Sequence, residues 1–228
     1  MGQLPSARVN APLRAFLHVG IDYAGPVMIR SSPGRGIKSN KSYIALFICL
    51  ASRAIHTELV NDYSATLFIN AFSRFCARRG LPNTMYSDNG TTFTGADKEL
   101  TFAYRSALRN SDFLNKTASD RIKWEFIPPH APHFGGIWEA GVKSLKYHLR
   151  RVLKNHTLTY EEFITLLCNI EACLNSRPIG PLSDSIEEFN NLTPGHFLIG
   201  SALTLISEPS LLSINENRLS RWQLVPIN

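Results

Sequence analysis

The order of apolar and polar positions divides the chain into segments of two distinct periods. From Phe16 to Ile21 apolar residues alternate through Val19 and Ile21, with His18, Gly20 and Asp22 on the opposite face. That period of two predicts a strand ending near Asp22. Ser31 to Ser42 is rich in Ser, Gly and Lys and reads as a long hairpin turn. Tyr43 to Leu50 is apolar throughout, as expected of a strand covered on both faces, and Ala54 to Val60 alternates again through Ile55, Thr57 and Leu59. Ser64 offers an N-cap to a helix whose inward stripe is Leu67, Phe68, Ala71, Phe72 and Phe75, with Gly80 and Pro82 as its stop. Thr84 to Ser87 predicts a short strand leading into Asp88-Asn89-Gly90, residues 96–108 a helix, and Ile122 to Phe126 a further short strand.

Proline and glycine punctuate the second half of the chain. Pro128 to Gly136 holds three prolines and two adjacent glycines and reads as a loop, after which a long helix is expected from about Ile137 to Leu153. Thr159 and Glu162 have capping-box spacing at the start of another helix. The apolar face of that helix is Phe163, Leu166, Leu167, Ile170 and Leu174, and it stops before Pro178. The remainder is irregular. Three strands, a helix, a strand, a helix, a strand and two helices predict an α/β domain with a mixed five-stranded sheet flanked by helices. Residues 1–14 form a lead-in linker, 15–177 the core, and 178–228 an irregular C-terminal extension.

Composition narrows the classes. At 228 residues and 44% apolar content the chain can bury a core, which excludes a fibre or a disordered tail. Its longest apolar run, Tyr43 to Ala51, is far short of the ~20 residues that span a bilayer, so no membrane partner is expected. MGQLPSARVN has no apolar segment, and no secretory signal is expected. Charge is unevenly distributed: residues 1–154 carry 21 Lys and Arg against 10 Asp and Glu, residues 155–228 only 3 against 8. A basic first part suggests a polyanionic partner. Cys49, Cys76, Cys168 and Cys173 form no C-x2-C pair, so free thiols are expected and no structural zinc.

Three acids stand where chemistry collects. Asp22 lies at the end of the first predicted strand, Asp88 at the end of the fourth, and Glu139 in the first turn of the long helix. Ligands gather at the carboxyl ends of strands in α/β sheets. Carboxylates brought together repel unless cations lie between them, and hard oxygen ligands select Mg²⁺ or Mn²⁺. Two such ions ~4 Å apart suit phosphoryl transfer. Singly, each acid is more often a turn former or a helix-dipole partner. A second pattern adds weight: Lys143, Lys146 and Arg150 share the helix face of Glu139, as a phosphate backbone would require.

Asp22 in GIDYAGP, Asp88 in YSDNGTTF and Glu139 in PPHAPHFGGIWEAGVKSLK resemble the D,D,E signature of retroviral and retrotransposon integrases. Sixty-five residues separate the aspartates and fifty separate Asp88 from Glu139. With LTPGHFLIG and Asn175-Ser176-Arg177-Pro178, the wording is similar to the Pao/BEL group of LTR retrotransposons. The resemblance implies a ribonuclease H-like fold and two Mg²⁺ or Mn²⁺ ions held by Asp22, Asp88 and Glu139. It implies an integrase and endonuclease activity that trims element DNA 3′ ends and joins them to target DNA, in the nucleus and as a homo-oligomer. It places Lys143 and Lys146 on DNA, and Arg150, Asn89 and His130 are set beside them as further contacts. It also makes Gly135-Gly136 the mobile loop that brings Glu139 into place. The family's zinc domain has no counterpart here, and residues 193–228 resemble the start of a C-terminal DNA-binding domain. Two other readings stand beside the transferase: a catalytically silent, domesticated DNA- or chromatin-binding fragment, and a ribonuclease H.

Overall fold

The computed structural model describes residues 14–34, 36–62, 64–87, 123–126, 132–154, 156–182 and 191–203. Five strands build one mixed sheet: β1 (His18–Arg30), β2 (Ser39–Cys49), β3 (Ile55–Val60), β4 (Thr84–Ser87) and β5 (Lys123–Phe126), in the order β3-β2-β1-β4-β5. β1, β2 and β3 form an antiparallel meander, while β4 and β5 run parallel to β1. The helices are α1 (Ala65–Arg79), α2 (Pro132–Leu153) and α3 (Tyr160–Asn175), with a two-residue strand β6 (Leu158–Thr159) parallel to the end of β1. A small hairpin, β7 (Gly180–Pro181) with β8 (Asn191–Leu192), and a one-turn helix α4 (His196–Ile199) complete the described elements. The predicted helix at 96–108 lies outside the described residues.

Both faces of the sheet are covered, and strand alternation assigns the layers. Val19, Ile21, Tyr23, Ala45, Phe47, Cys49 and Met85 pack under α1 with Phe68, Ala71, Phe72 and Phe75. Phe47 and Phe75 stack with centroids 4.3 Å apart. Ala24, Ile44, Leu46 and Ile48 face the other way, against Trp138, Val142, Leu145 and Leu149 of α2 and the apolar stripe of α3. Local chemistry sets the helix ends as expected. Ser64 accepts the Leu67 N–H, Gly80 closes α1 at φ +83°, and Thr159 and Glu162 make both capping-box bonds.

Two expectations are corrected. β1 runs on to Arg30, so Asp22 sits in mid-strand rather than at its end; the chain passes Gly25-Pro26 by a register shift between Ala24 and Val27. α2 begins at Pro132, not Ile137, which puts Gly135 and Gly136 inside a helix and Glu139 in its second turn. Proline is well suited to a first helical position because the N–H it lacks has no intrahelical partner there. The implied Gly135-Gly136 loop is therefore helical. β3 is polar and yet interior: His56, Thr57 and Glu58 are all buried.

That burial belongs to the exposed edge of the sheet. The outward backbone groups of β3 are met by side chains in place of another strand. Ile55 N–H donates to Asn175 Oδ1 while Asn175 Nδ2 donates back to Ile55 O, both at 2.8 Å. Thr57 N–H donates to Glu171 Oε2 at 2.8 Å, and Arg74 Nη2 to Leu59 O at 3.3 Å. The neighbouring residues fasten the same corner. Arg177 donates to the Leu174 and Arg53 carbonyls, and the Ser176 hydroxyl lies 2.8 Å from Ala172 O and 3.0 Å from Leu203 O.

Candidate active site

Asp22 is half-buried on the sheet face that receives α2, paired across the ladder with Leu46. Its Oδ1 accepts the Tyr23 N–H at 2.7 Å, and it engages further groups around it. The parallel register of β1 and β4 pairs Ile21, the residue before Asp22, with Ser87, the last residue of β4. Asp88 itself, with Asn89 and His130, lies outside the described residues.

The helix that carries Glu139, α2, packs on the same face. Two close approaches seat that helix. A Cβ on Gly20 would lie 2.3 Å from Cε3 of Trp138, so only a glycine lets the indole rest on β1. Farther along, a Cβ on Gly141 would lie 3.3 Å from Leu46 and 3.4 Å from Ile48. Trp138, 1% exposed, thus packs two residues from Asp22 along β1, and Glu139 is the next residue on α2. Glu139 is exposed, and its Oε1 lies 3.0 Å from where a Cβ on Gly135 would stand. Among the described residues it forms no ion pair. Carboxylate oxygens of this kind are the donors a hard divalent cation takes.

Lys143, Lys146 and Arg150 are exposed and lie on one side of α2, as the spacing predicts; none is ion-paired among the described residues. Lys143 to Arg150 spans about 10 Å at 1.5 Å per residue. Behind the stripe, Arg151 stacks over Tyr147 at 5.4 Å. A groove of about 860 Å³ begins one turn beyond Glu139, lined by Lys143, Tyr147, His148 and Arg177 among others. Partial burial, with the Arg151 charge, pushes His148 below its ordinary range.

A second acidic cluster, which alternation did not reveal, sits at the β3 edge. Glu58 is bound by Arg74 at 2.5 Å, Arg78 at 3.1 Å and His56 at 3.0 Å; Glu171 by Arg79 at 2.5 Å. Burial raises both carboxyls, yet the His56 hydrogen bonds and the arginines outweigh it and hold them below the usual carboxylate range. For His56, burial acts downward, and hydrogen bonds to Glu171 and Glu58 overcome it to raise the imidazole. Its Nδ1 lies 3.3 Å from Arg79 Nε and 3.5 Å from Glu171 Oε1, so protonation exchanges the first contact for the second. All four cysteines are free thiols, and no described helix is long and apolar enough to cross a membrane.

This architecture is the ribonuclease H-like fold of integrase cores. Residues 21–132 match the model of the integrase core domain. The chain is similar to a chain of the simian T-cell lymphotropic virus intasome in complex with a PP2A regulatory subunit (TM-score 0.57, 15% identity), over 95% of its own length and 66% of the other's. It is also similar to the HTLV-2 integrase catalytic core in complex with magnesium, in a trimeric form (TM-score 0.52, 15% identity, 82% of this chain and 99% of that one). The BIV integrase catalytic core gives a TM-score of 0.54 at 15% identity, covering 81% of this chain and 95% of that one. No curated protein sequence matches.

Proposed function

We propose that the chain is a DNA-integrating polynucleotidyl transferase and endonuclease of a Pao/BEL-type LTR retrotransposon. The observation that carries this reading is the seating of Trp138 on Gly20. It sets the helix that carries Glu139 against the strand that carries Asp22, in a domain whose residues 21–132 match the integrase core domain. Asp22, Glu139 and Asp88 would hold two Mg²⁺ or Mn²⁺ ions. When bound, such ions polarise the attacking and leaving oxygens of a phosphodiester.

The chain's own groups do the rest. Along Lys143 to Arg150, at one phosphate per ~3.4 Å of strand, about three successive phosphates can be met. These contacts orient the DNA without reading its sequence. Carrying cations on the same helix as Glu139 fixes the backbone relative to the acids. Asn89 and His130 are proposed as further DNA contacts. A nuclear location and a homo-oligomer follow from the proposed substrate and from the multimeric integrase cores the fold resembles.

The test is disintegration of a branched DNA oligonucleotide, with Asp88→Asn as control. Strand joining that requires Mg²⁺ or Mn²⁺ and vanishes in the variant supports the transferase. Salt-sensitive DNA binding without joining, in a protein that also carries any flanking integrase domains, would assign the chain to the silent DNA-binding class.

A further inference from the structure

The indole nitrogen of Trp138 is buried and has no hydrogen-bond partner among the described residues. Buried N–H groups are nearly always paired, so an orphan beside a proposed metal ligand points to a use. Its surroundings say which. A Cβ on Gly135 would lie 3.5 Å from Trp138 Nε1 and 3.0 Å from Glu139 Oε1, so the N–H and the carboxylate flank one glycine without a hydrogen bond between them. Nothing larger than hydrogen fits Gly135 without crowding them. On its other edge the same ring is locked on Gly20, two residues before Asp22.

We propose that Trp138 is a positioning residue for the acidic site, its ring fixing α2 against β1 and its N–H held as the donor that orients the Glu139 carboxylate. This rests on the proposed transferase function, since it takes Glu139 as a ligand. A carboxylate that offers one oxygen to a cation keeps the other for an outer partner. Such partners hold the ligand's angle and typically govern affinity 10–100-fold. Gly20, Gly135 and Trp138 thereby form one device. Two glycines make room, one for the ring and one for the carboxylate beside its N–H.

The test is Mn²⁺ binding to the DNA-free protein, read from the electron paramagnetic resonance of unbound Mn²⁺, with melting temperature and duplex-DNA affinity measured alongside. Trp138→Phe keeps a ring on Gly20 and removes the N–H. It should weaken Mn²⁺ about 10-fold while leaving the DNA affinity within about twofold. Gly135→Ala is the second variant. Alanine favours a helix interior over glycine, and the group it crowds is the far end of a flexible side chain. It should therefore hold or raise the melting temperature and still weaken Mn²⁺ several-fold. Parental Mn²⁺ affinity in either folded variant, with Glu139→Gln abolishing binding, would overturn the positioning role and leave the transferase reading intact. Parental Mn²⁺ binding in Glu139→Gln, or none in the parent, would overturn both.

Discussion

Two places in this molecule hold acids contributed by a strand and a helix, and they are built in opposite ways. At the sheet edge, Glu58 of β3 and Glu171 of α3 are buried, and each is bound by at least one arginine and approached by His56. On the α2 face, Asp22 is half-buried and Glu139 exposed, and the cations of α2 lie beyond Glu139 rather than on it. The first arrangement has its counter-charge built in and gains nothing from a ligand. The second leaves Glu139 exposed with no ion pair among the described residues. Buried charges must be matched, so neutralised clusters mark structure, and an exposed carboxylate beside an unpaired basic stripe marks a place for something to bind.

The largest effect should separate the two places by activity. Glu139→Gln removes a charge and almost no volume from an exposed position, so melting should hold while strand joining falls by at least about 100-fold, the upper range for disturbing a metal site's surroundings. Glu171→Ala should do the reverse. It strands Arg79 and the Thr57 N–H at a buried edge, at a cost of about 3 kcal/mol. For a chain of this size that is about 10 °C in melting temperature. Joining per folded molecule should be unchanged. A stable Glu171→Ala protein that has lost joining would merge the two regions into one.

Pattern reading served where local chemistry decides the outcome. The Ser64 cap, the Thr159–Glu162 capping box and the apolar run of β2 each lie within a few residues, and all three formed. It failed where a distant partner decides. Pro132, Gly135 and Gly136 are breakers by propensity, yet Gly135 sits inside α2 beneath Trp138 and Glu139. Gly25-Pro26 hid the second half of β1, because proline in a strand is tolerated at a bulge that the sequence does not announce. His56 and Glu58 occupy the alternate positions that water usually claims. Only the arrival of α1 and α3 makes them interior, and no spacing along β3 carries that information. For the candidate site, motif and period nominate Asp22, Glu139 and the basic stripe, and the side of α2 shared by Lys143, Lys146 and Arg150 was legible from period. Gly20 shows in the sequence only as a polar-face residue, since its partner is more than a hundred positions away.

A smaller effect comes from pH and should be confined to the sheet edge. Glu58 and Glu171 lie below their ordinary value of 4.5, so the stability they add is present above that pH and is lost as pH falls through the lowered values. His56 lies above 6.5, so its contribution is complete below 6.5 and fades as pH rises through the raised value. Together they predict a stability maximum between about pH 4.5 and 6.5, measurable as a denaturant midpoint. His56→Gln should flatten the alkaline limb and, because the His56 hydrogen bonds help hold Glu58 and Glu171 low, weaken the acid limb as well without abolishing it, since the arginines remain. An unchanged alkaline limb would show that His56 does not titrate within the network.

The gentlest test compares cations rather than acids. Lys146 on α2 and Arg78 on α1 are both exposed, and replacing either with Gln changes net charge by one. They differ in what holds them: Arg78 is committed to Glu58 at 3.1 Å, whereas Lys146 has no ion pair among the described residues. If DNA runs along α2, Lys146→Gln should reduce the slope of log K against log salt by about 0.9, the share of one phosphate contact on a duplex. The loss should be equal for duplexes of unrelated sequence. Arg78→Gln should leave the slope unchanged, because its charge is already spent within the protein. Equal slopes for the two variants would mean that net charge draws the DNA and the stripe does not, and the contrast between the two regions would then hold for acids alone.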